Sequence, residues 1–226
     1  MIRIALILFT ALPLFAGFFP STVHTSVVSV KGDTLTLRSS FPANGMSGVV
    51  IHSYGHDLRA ITAYVAQTAK GRAKVISRDI IHHDELPTIK TPVRAGDKII
   101  GGYLYNNVML LAPDADTYAK ITSSYTKNWI HPDLFAIYLS KRGDAFPTRE
   151  NLNSFAKAYQ IGLIAIARKN TLVLMDPISG KIISKKTLSN LPAKAQFPFY
   201  MHFKEIKEGW FSKSGSGSYY QTMEAL

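Results

Sequence analysis

Lys98 to Tyr105 (KIIGGYLY) and Val108 to Ala112 (VMLLA), on either side of Asn106-Asn107, decide how this chain is read. Each run is short, apolar and β-forming, and an Asn-Asn pair accepts the positive φ of a tight turn. The pattern predicts an antiparallel hairpin. Toward the N-terminus the same signals repeat. Val23 to Val30 (VHTSVVSV) and Asp33 to Arg38 (DTLTLR) flank the turn Lys31-Gly32-Asp33, a second hairpin. Gly48 to Ile51 (GVVI), Arg59 to Ala66 (RAITAYVA) and Ala73 to Ile76 (AKVI) add three strands. Gly45 and Gly48 bracket Met46-Ser47 and permit a sharp turn or bulge entering the strand. Many short strands at near-regular spacing predict a small β-barrel or sandwich over residues 17–113.

After Pro113 the periodicity changes. Asp116 to Lys127, Pro132 to Ser140 and Thr148 to Tyr159 read as helices. Pro132 suits a first helical position, Asp133 favours a helix N-terminus, and Thr148 is the expected cap of the third helix. Gly162 to Ala167 (GLIAIA), Thr171 to Met175 (TLVLM) and Lys181 to Thr187 then read as strands, the last two joined by a turn at Pro177-Ile178-Ser179-Gly180. Residues 114–211 are expected to form an α/β unit, helices packed on a small sheet. Residues 212–226 read as a flexible Gly/Ser tail, with no folding signal of its own in Tyr219 to Leu226. The fold class is α+β, a barrel-like unit followed by an α/β unit.

The first residues bear on location. Met1-Ile2-Arg3 is a short cationic start, Ile4 to Ala16 is an uncharged apolar run, and Gly17 follows. That is the pattern of a signal peptide over residues 1–16, too short for a bilayer span of roughly 20 residues. No later run suits a membrane helix. The chain contains no cysteine, which rules out disulfides and a lipid anchor on a diacylglyceryl cysteine. Hydrophobic residues make up 46% of the chain, enough for a packed core without staples. The formal net charge is +11, with the densest basic clusters at Lys70 to Lys74, Lys181 to Lys186 and Lys204 to Lys213. Such a surface favours acidic partners: anionic lipid, polysaccharide, peptidoglycan carboxylates or acidic protein faces. An exported protein rarely meets nucleic acid, so none is expected as a partner.

Motifs for catalysis are weak. His82-His83-Asp84-Glu85 is the most metal-like string, but adjacent histidines on an extended chain point to different sides, and it reads as a polar loop. His52 and His56 flank a turn in a hairpin loop. His131-Pro132-Asp133 suggests an acid/base pair less than it suggests a carboxylate facing the free N–H groups of a helix start. Ser47 precedes a strand, so Gly45 to Gly48 is not a nucleophile elbow. Asp176 in Asp176-Pro177-x-x-Gly180 reads as turn chemistry. A hydrolase acting on cell-wall polymer would need paired carboxylates, or two histidines and a carboxylate on one ion, and no such set is visible. The expectation is a non-enzyme with no catalytic residue, metal or cofactor.

As a series the residues resemble the N-terminal domain of the plasminogen-binding protein PgbA family. The resemblance rests on Gly45-Met46-Ser47-Gly48-Val49-Val50, Gly96-Asp97, Tyr105, Leu111-Ala112-Pro113-Asp114 and Tyr118. It continues through Trp129-Ile130-His131-Pro132-Asp133-Leu134-Phe135-Ala136, Leu139-Ser140, Phe155 and Gly162-Leu163, and covers roughly Phe18 to Leu188. The resemblance implies a bacterial envelope or surface protein that binds plasminogen through lysines entering kringle pockets, often at a C-terminus. This chain ends Met223-Glu224-Ala225-Leu226 without a lysine, so the named activity is not expected to transfer through its end. Internal Lys185, Lys186, Lys204, Lys207 and Lys213 are the candidate partner contacts, with ordinary solvated charge as the alternative. The β unit is also similar to small barrels of periplasmic flagellar-ring accessory proteins, which implies a second role as a structural component of an envelope machine. Fold alone does not decide between them.

Overall fold

A computed structural model describes residues 17–78, 91–203 and 218–226. Six strands close an antiparallel barrel: β1 (Val23–Lys31), β2 (Thr34–Leu37), β3 (Ser47–Gly55), β4 (Leu58–Ala69), β5 (Arg72–Ser77) and β6 (Lys98–Gly101), in the order β1-β2-β5-β4-β3-β6. Alternation decides the inside. Leu35 and Leu37 point inward while Thr34 and Thr36 are exposed, and Ala73 and Val75 alternate with Arg72, Lys74 and Ile76.

The expected hairpin over Lys98 to Ala112 does not form. Lys98 to Gly101 pair with β1 on one side and β3 on the other. Both edges of β6 are thereby used in closing the barrel. The next strand, β7 (Asn107–Leu111), joins a second sheet between β9 (Leu163–Arg168) and β8 (Asn128–Ile130), parallel to both. Its run without polar alternation suits a strand covered on both faces. The positive φ in the crossing falls on Gly102 and Leu104, not on the asparagines.

The second sheet is completed by β10 (Thr171–Asp176) and β11 (Lys181–Thr187), in the order β11-β10-β9-β7-β8. Val108, Leu110, Leu163, Ala165, Leu172 and Leu174 face one cluster, which is continuous with the barrel interior. Met109, Leu111, Ile164, Ile166, Val173 and Met175 face another, covered by α2 (Pro132–Arg142), α3 (Arg149–Ala158) and α4 (Tyr219–Ala225). The molecule is thus α+β, with a barrel against one face of a mixed sheet and helices against the other.

Three boundaries differ from the sequence reading. The first helix, α1 (Ala115–Ser123), stops at Ser123, and residues 128–130, without a strand signal of their own, become β8 beside β7. The turn of the β3–β4 hairpin is at His56 and Asp57, both with positive φ, one step beyond the expected place. Residues 219–226 are not a loose end: Tyr219, Met223 and Leu226 are buried in the helix-side core, and the Tyr219 hydroxyl donates to the Leu111 and Ala167 carbonyls at 2.9 and 2.7 Å. Their apolar residues needed the bare face of β9 to become a helix. The signal-like run 1–16 and the Gly/Ser stretch 214–217 lie outside the described residues.

Candidate functional site

Of the five lysines singled out, the structure places two. Lys185 and Lys186 lie side by side on β11, an edge strand, opposite Val173 and Leu172. Charged side chains on an edge also discourage unwanted strand pairing. Both are exposed, but they differ. The Lys186 ammonium donates to the Tyr125 hydroxyl at 3.1 Å and sits 5.6 Å from that ring's centre. Tyr125 in turn packs against Phe18 and Phe19, and Phe19 against Trp129. Lys127 lies over the Phe19 ring at 4.9 Å, and burial pushes its ammonium below the ordinary lysine range. Lys185 makes no hydrogen bond or ion pair among the described residues, so its ammonium is free to meet a partner. Lys204, Lys207 and Lys213 lie outside the described residues, as does His82-His83-Asp84-Glu85.

Beneath this edge, the barrel is fastened to the sheet by one carboxylate. Asp176 is completely buried. Its Oδ1 accepts the N–H groups of Ile178 and Ser179, both at 2.9 Å. This is the turn chemistry expected from its sequence. Its Oδ2 accepts the Ser47 N–H and the Tyr105 hydroxyl, both at 2.6 Å. Ser179 donates its hydroxyl to the Gly45 carbonyl at 2.6 Å. Gly45 and Gly48 have distinct reasons to be glycine here. Gly45 has φ +85 and a Cβ would fall 2.8 Å from that of Lys181, whereas a Cβ on Gly48 would lie 2.6 Å from the Ile100 carbonyl oxygen. Burial first, then the charge of Asp176, hold the Tyr105 hydroxyl well above the usual phenol range. A neutral donor on a buried carboxylate is a fastener; it offers no nucleophile.

A cleft of about 220 Å³ opens between the barrel and α3, lined in part by Ser47, Tyr64, Tyr103, Leu104, Lys157 and Gln160. Leu104 and Gln160 both hold positive φ. Burial, then Tyr103, pushes the Tyr64 hydroxyl up. The Ser47 N–H is engaged by the Asp176 carboxylate.

The remaining constellation was only half visible in sequence. His131 caps α2: its Nδ1 accepts the Asp133 N–H at 3.2 Å. The Asp133 carboxylate, expected to face its own helix start, turns instead to His202. Asp133 Oδ1 accepts the His202 N–H at 2.9 Å, and His202 Nδ1 lies 2.9 Å from Asp133 Oδ2. The two imidazoles stack with centroids 4.4 Å apart and planes 16° off parallel. Tyr118 and Tyr200 pack at their edges. Burial lowers the proton affinity of His131, opposed by Asp133 and reinforced by His202. His131, Asp133 and His202 are the residues that can hold a metal ion among those described, with ligand atoms within 4.8 Å of one another. Sequence reading missed His202, 69 residues from Asp133, because no local spacing links them. His52 and His56 do not converge: His52 Nδ1 pairs with Asp97 Oδ1 at 2.7 Å, and His56 sits in the hairpin turn.

Comparison with known proteins adds relatives to this geometry. The family described as plasminogen-binding protein PgbA N-terminal matches residues 22–226. The plasminogen-binding protein PgbA of Helicobacter pylori strain 26695 is 29% identical over 148 residues, 65% of this chain and 32% of that protein. The PgbA of strain J99 is 28% identical over the same extent. The match therefore spans about a third of the length of these curated relatives. No solved structure matches the chain significantly.

Proposed function

We propose, from the premise that this chain belongs to the plasminogen-binding protein PgbA N-terminal family, that it is an exported, non-catalytic envelope or surface protein that binds a protein partner through a basic face. The family match over residues 22–226 carries this reading. The two curated relatives are named for binding plasminogen, which makes plasminogen the first partner to test. Export is supported by the cationic, then apolar start at residues 1–16. Among the described residues no helix is long and apolar enough to cross a membrane. The net charge of +11 supplies long-range attraction to an acidic partner.

Of the two described candidates Lys185 is the better placed to enter a lysine pocket, because its ammonium is unengaged among the described residues while that of Lys186 is held by Tyr125. Lys204, Lys207 and Lys213 are the further candidate contacts. The test is surface plasmon resonance of immobilised plasminogen with the purified chain, repeated with a free lysine analogue. Binding abolished by the analogue and weakened several-fold by Lys185→Ala supports the reading. Binding that ignores the analogue, or no binding, refutes the plasminogen assignment. Protease treatment of intact and outer-membrane-permeabilised cells tests location: digestion of intact cells places the chain on the surface, and protection until permeabilisation places it in the periplasm.

A further inference from the structure

We propose that His131, Asp133 and His202 form a binding site for a divalent cation of the zinc class. Three observations converge. The first is the donor set. Two imidazoles and one carboxylate suit zinc and its neighbours, and are poorly matched to magnesium or calcium, which take oxygen ligands.

The second is the spacing. His131 Nδ1 lies 3.2 Å, and His202 Nδ1 2.9 Å, from the same carboxylate oxygen, Asp133 Oδ2. Donors about 2.0–2.1 Å from one tetrahedral ion stand roughly 3.4 Å apart; these three ligand atoms lie within 4.8 Å of one another, and the stacked rings turn so that both planes meet at the ion. The backbone holds them near that arrangement. Pro132 starts α2 between the two residues that straddle it, and the His202 N–H on Asp133 Oδ1 leaves Oδ2 to the imidazoles.

The third is a clash between acceptors that an ion relieves. His131 Nδ1 accepts the Asp133 N–H, so its lone pair faces that N–H and the ring proton sits on Nε2. Nδ1 and Oδ2 then meet acceptor to acceptor. In the other tautomer Nδ1 donates to Oδ2 but opposes the Asp133 N–H, donor to donor. Nε2 is buried without a partner. Neither tautomer satisfies the site. A cation between Nδ1 and Oδ2 takes the Nδ1 lone pair from the Asp133 N–H and replaces the contact between acceptors with two coordinate bonds. The His202 side chain is 63% exposed, which gives the ion access from solvent and leaves a coordination position for water or a partner's side chain. An ion there would tie the 196–202 segment to the start of α2.

The test titrates Zn²⁺ into the chelator-stripped full chain by isothermal calorimetry, with Mg²⁺ as the hard-ion control. Saturable binding of one Zn²⁺ per chain is expected, with no comparable response to Mg²⁺. His202→Ala, which removes an exposed side chain, should weaken Zn²⁺ at least tenfold, and so should Asp133→Asn. His82→Ala/His83→Ala should leave it unchanged. As a readout independent of affinity, Co²⁺ should give a visible absorption band of a four- or five-coordinate site in the parent and not in His202→Ala. Absence of saturable Zn²⁺ binding, binding unaltered by His202→Ala, or loss of binding in His82→Ala/His83→Ala overturns the proposal.

Discussion

Asp176 receives four donors, two from its own turn and two from elsewhere in the chain. The local pair was legible, because Asp-Pro-x-x-Gly is turn chemistry wherever it occurs. The distant pair was not. Ser47 and Tyr105 stand 129 and 71 residues away, and no spacing announces either. His202 was hidden for the same reason. Tyr105→Phe leaves Asp176 Oδ2 with one donor instead of two in a site closed to water. That should cost about 1–3 kcal/mol, read as a lower urea midpoint at unchanged slope. The same hydroxyl predicts a pH dependence. Its folded-state proton affinity is raised, chiefly by burial, so its contribution is complete below the unfolded value of about 10 and is lost as pH rises through the folded one. The urea midpoint should therefore fall on the alkaline side of pH 10, less steeply in Tyr105→Phe. A flat midpoint there would show that the phenol is not buried against the carboxylate.

Among the elements, α3 was read most closely. Thr148 caps it as expected, and Asn151 completes a reciprocal capping box. Leu152, Phe155 and Ala156 face the helix-side core. Capping is local, so sequence sufficed. Thr148→Ala should cost about 1 kcal/mol of stability, within the usual 0.5–2 kcal/mol of a lost cap, measured as a lower thermal midpoint with helical circular dichroism retained. A neutral substitution would mean that packing of Phe155 alone holds the helix. Strand pairing was harder. The runs at 98–101 and 107–111 were recognised as strands, yet their partners were misassigned, because pairing depends on which edges remain free. Closure of the barrel takes both edges of β6, which leaves β7 to pair with β9 and β8. The end of the chain makes the same point: Tyr219 and Met223 have no helical stretch around them in sequence long enough to fold alone, and they become α4 on the face of β9.

At the scale of the whole molecule, periodicity changes after Pro113, yet β7, which precedes that change, lies in the second sheet with β8 to β11. Whether barrel and sheet unfold apart is a different question. The barrel interior and the barrel-facing side of the sheet form one cluster, from Val27 and Leu35 through Tyr105 to Leu172 and Leu174. Asp176 and Ser179 add hydrogen bonds from the β10–β11 turn to the start of β3. Two units that share their apolar surface cannot separate without exposing it, at roughly 25 cal/mol for each Å². The thermal unfolding of the full chain should therefore be a single transition, with calorimetric and van't Hoff enthalpies in agreement. Asp176→Asn should lower that transition without splitting it, since the shared cluster survives loss of the buried charge. Two resolved transitions in the parent chain would mean that the shared cluster contributes too little to couple the parts, and that the division near residue 113 is one of folding units as well as of pattern.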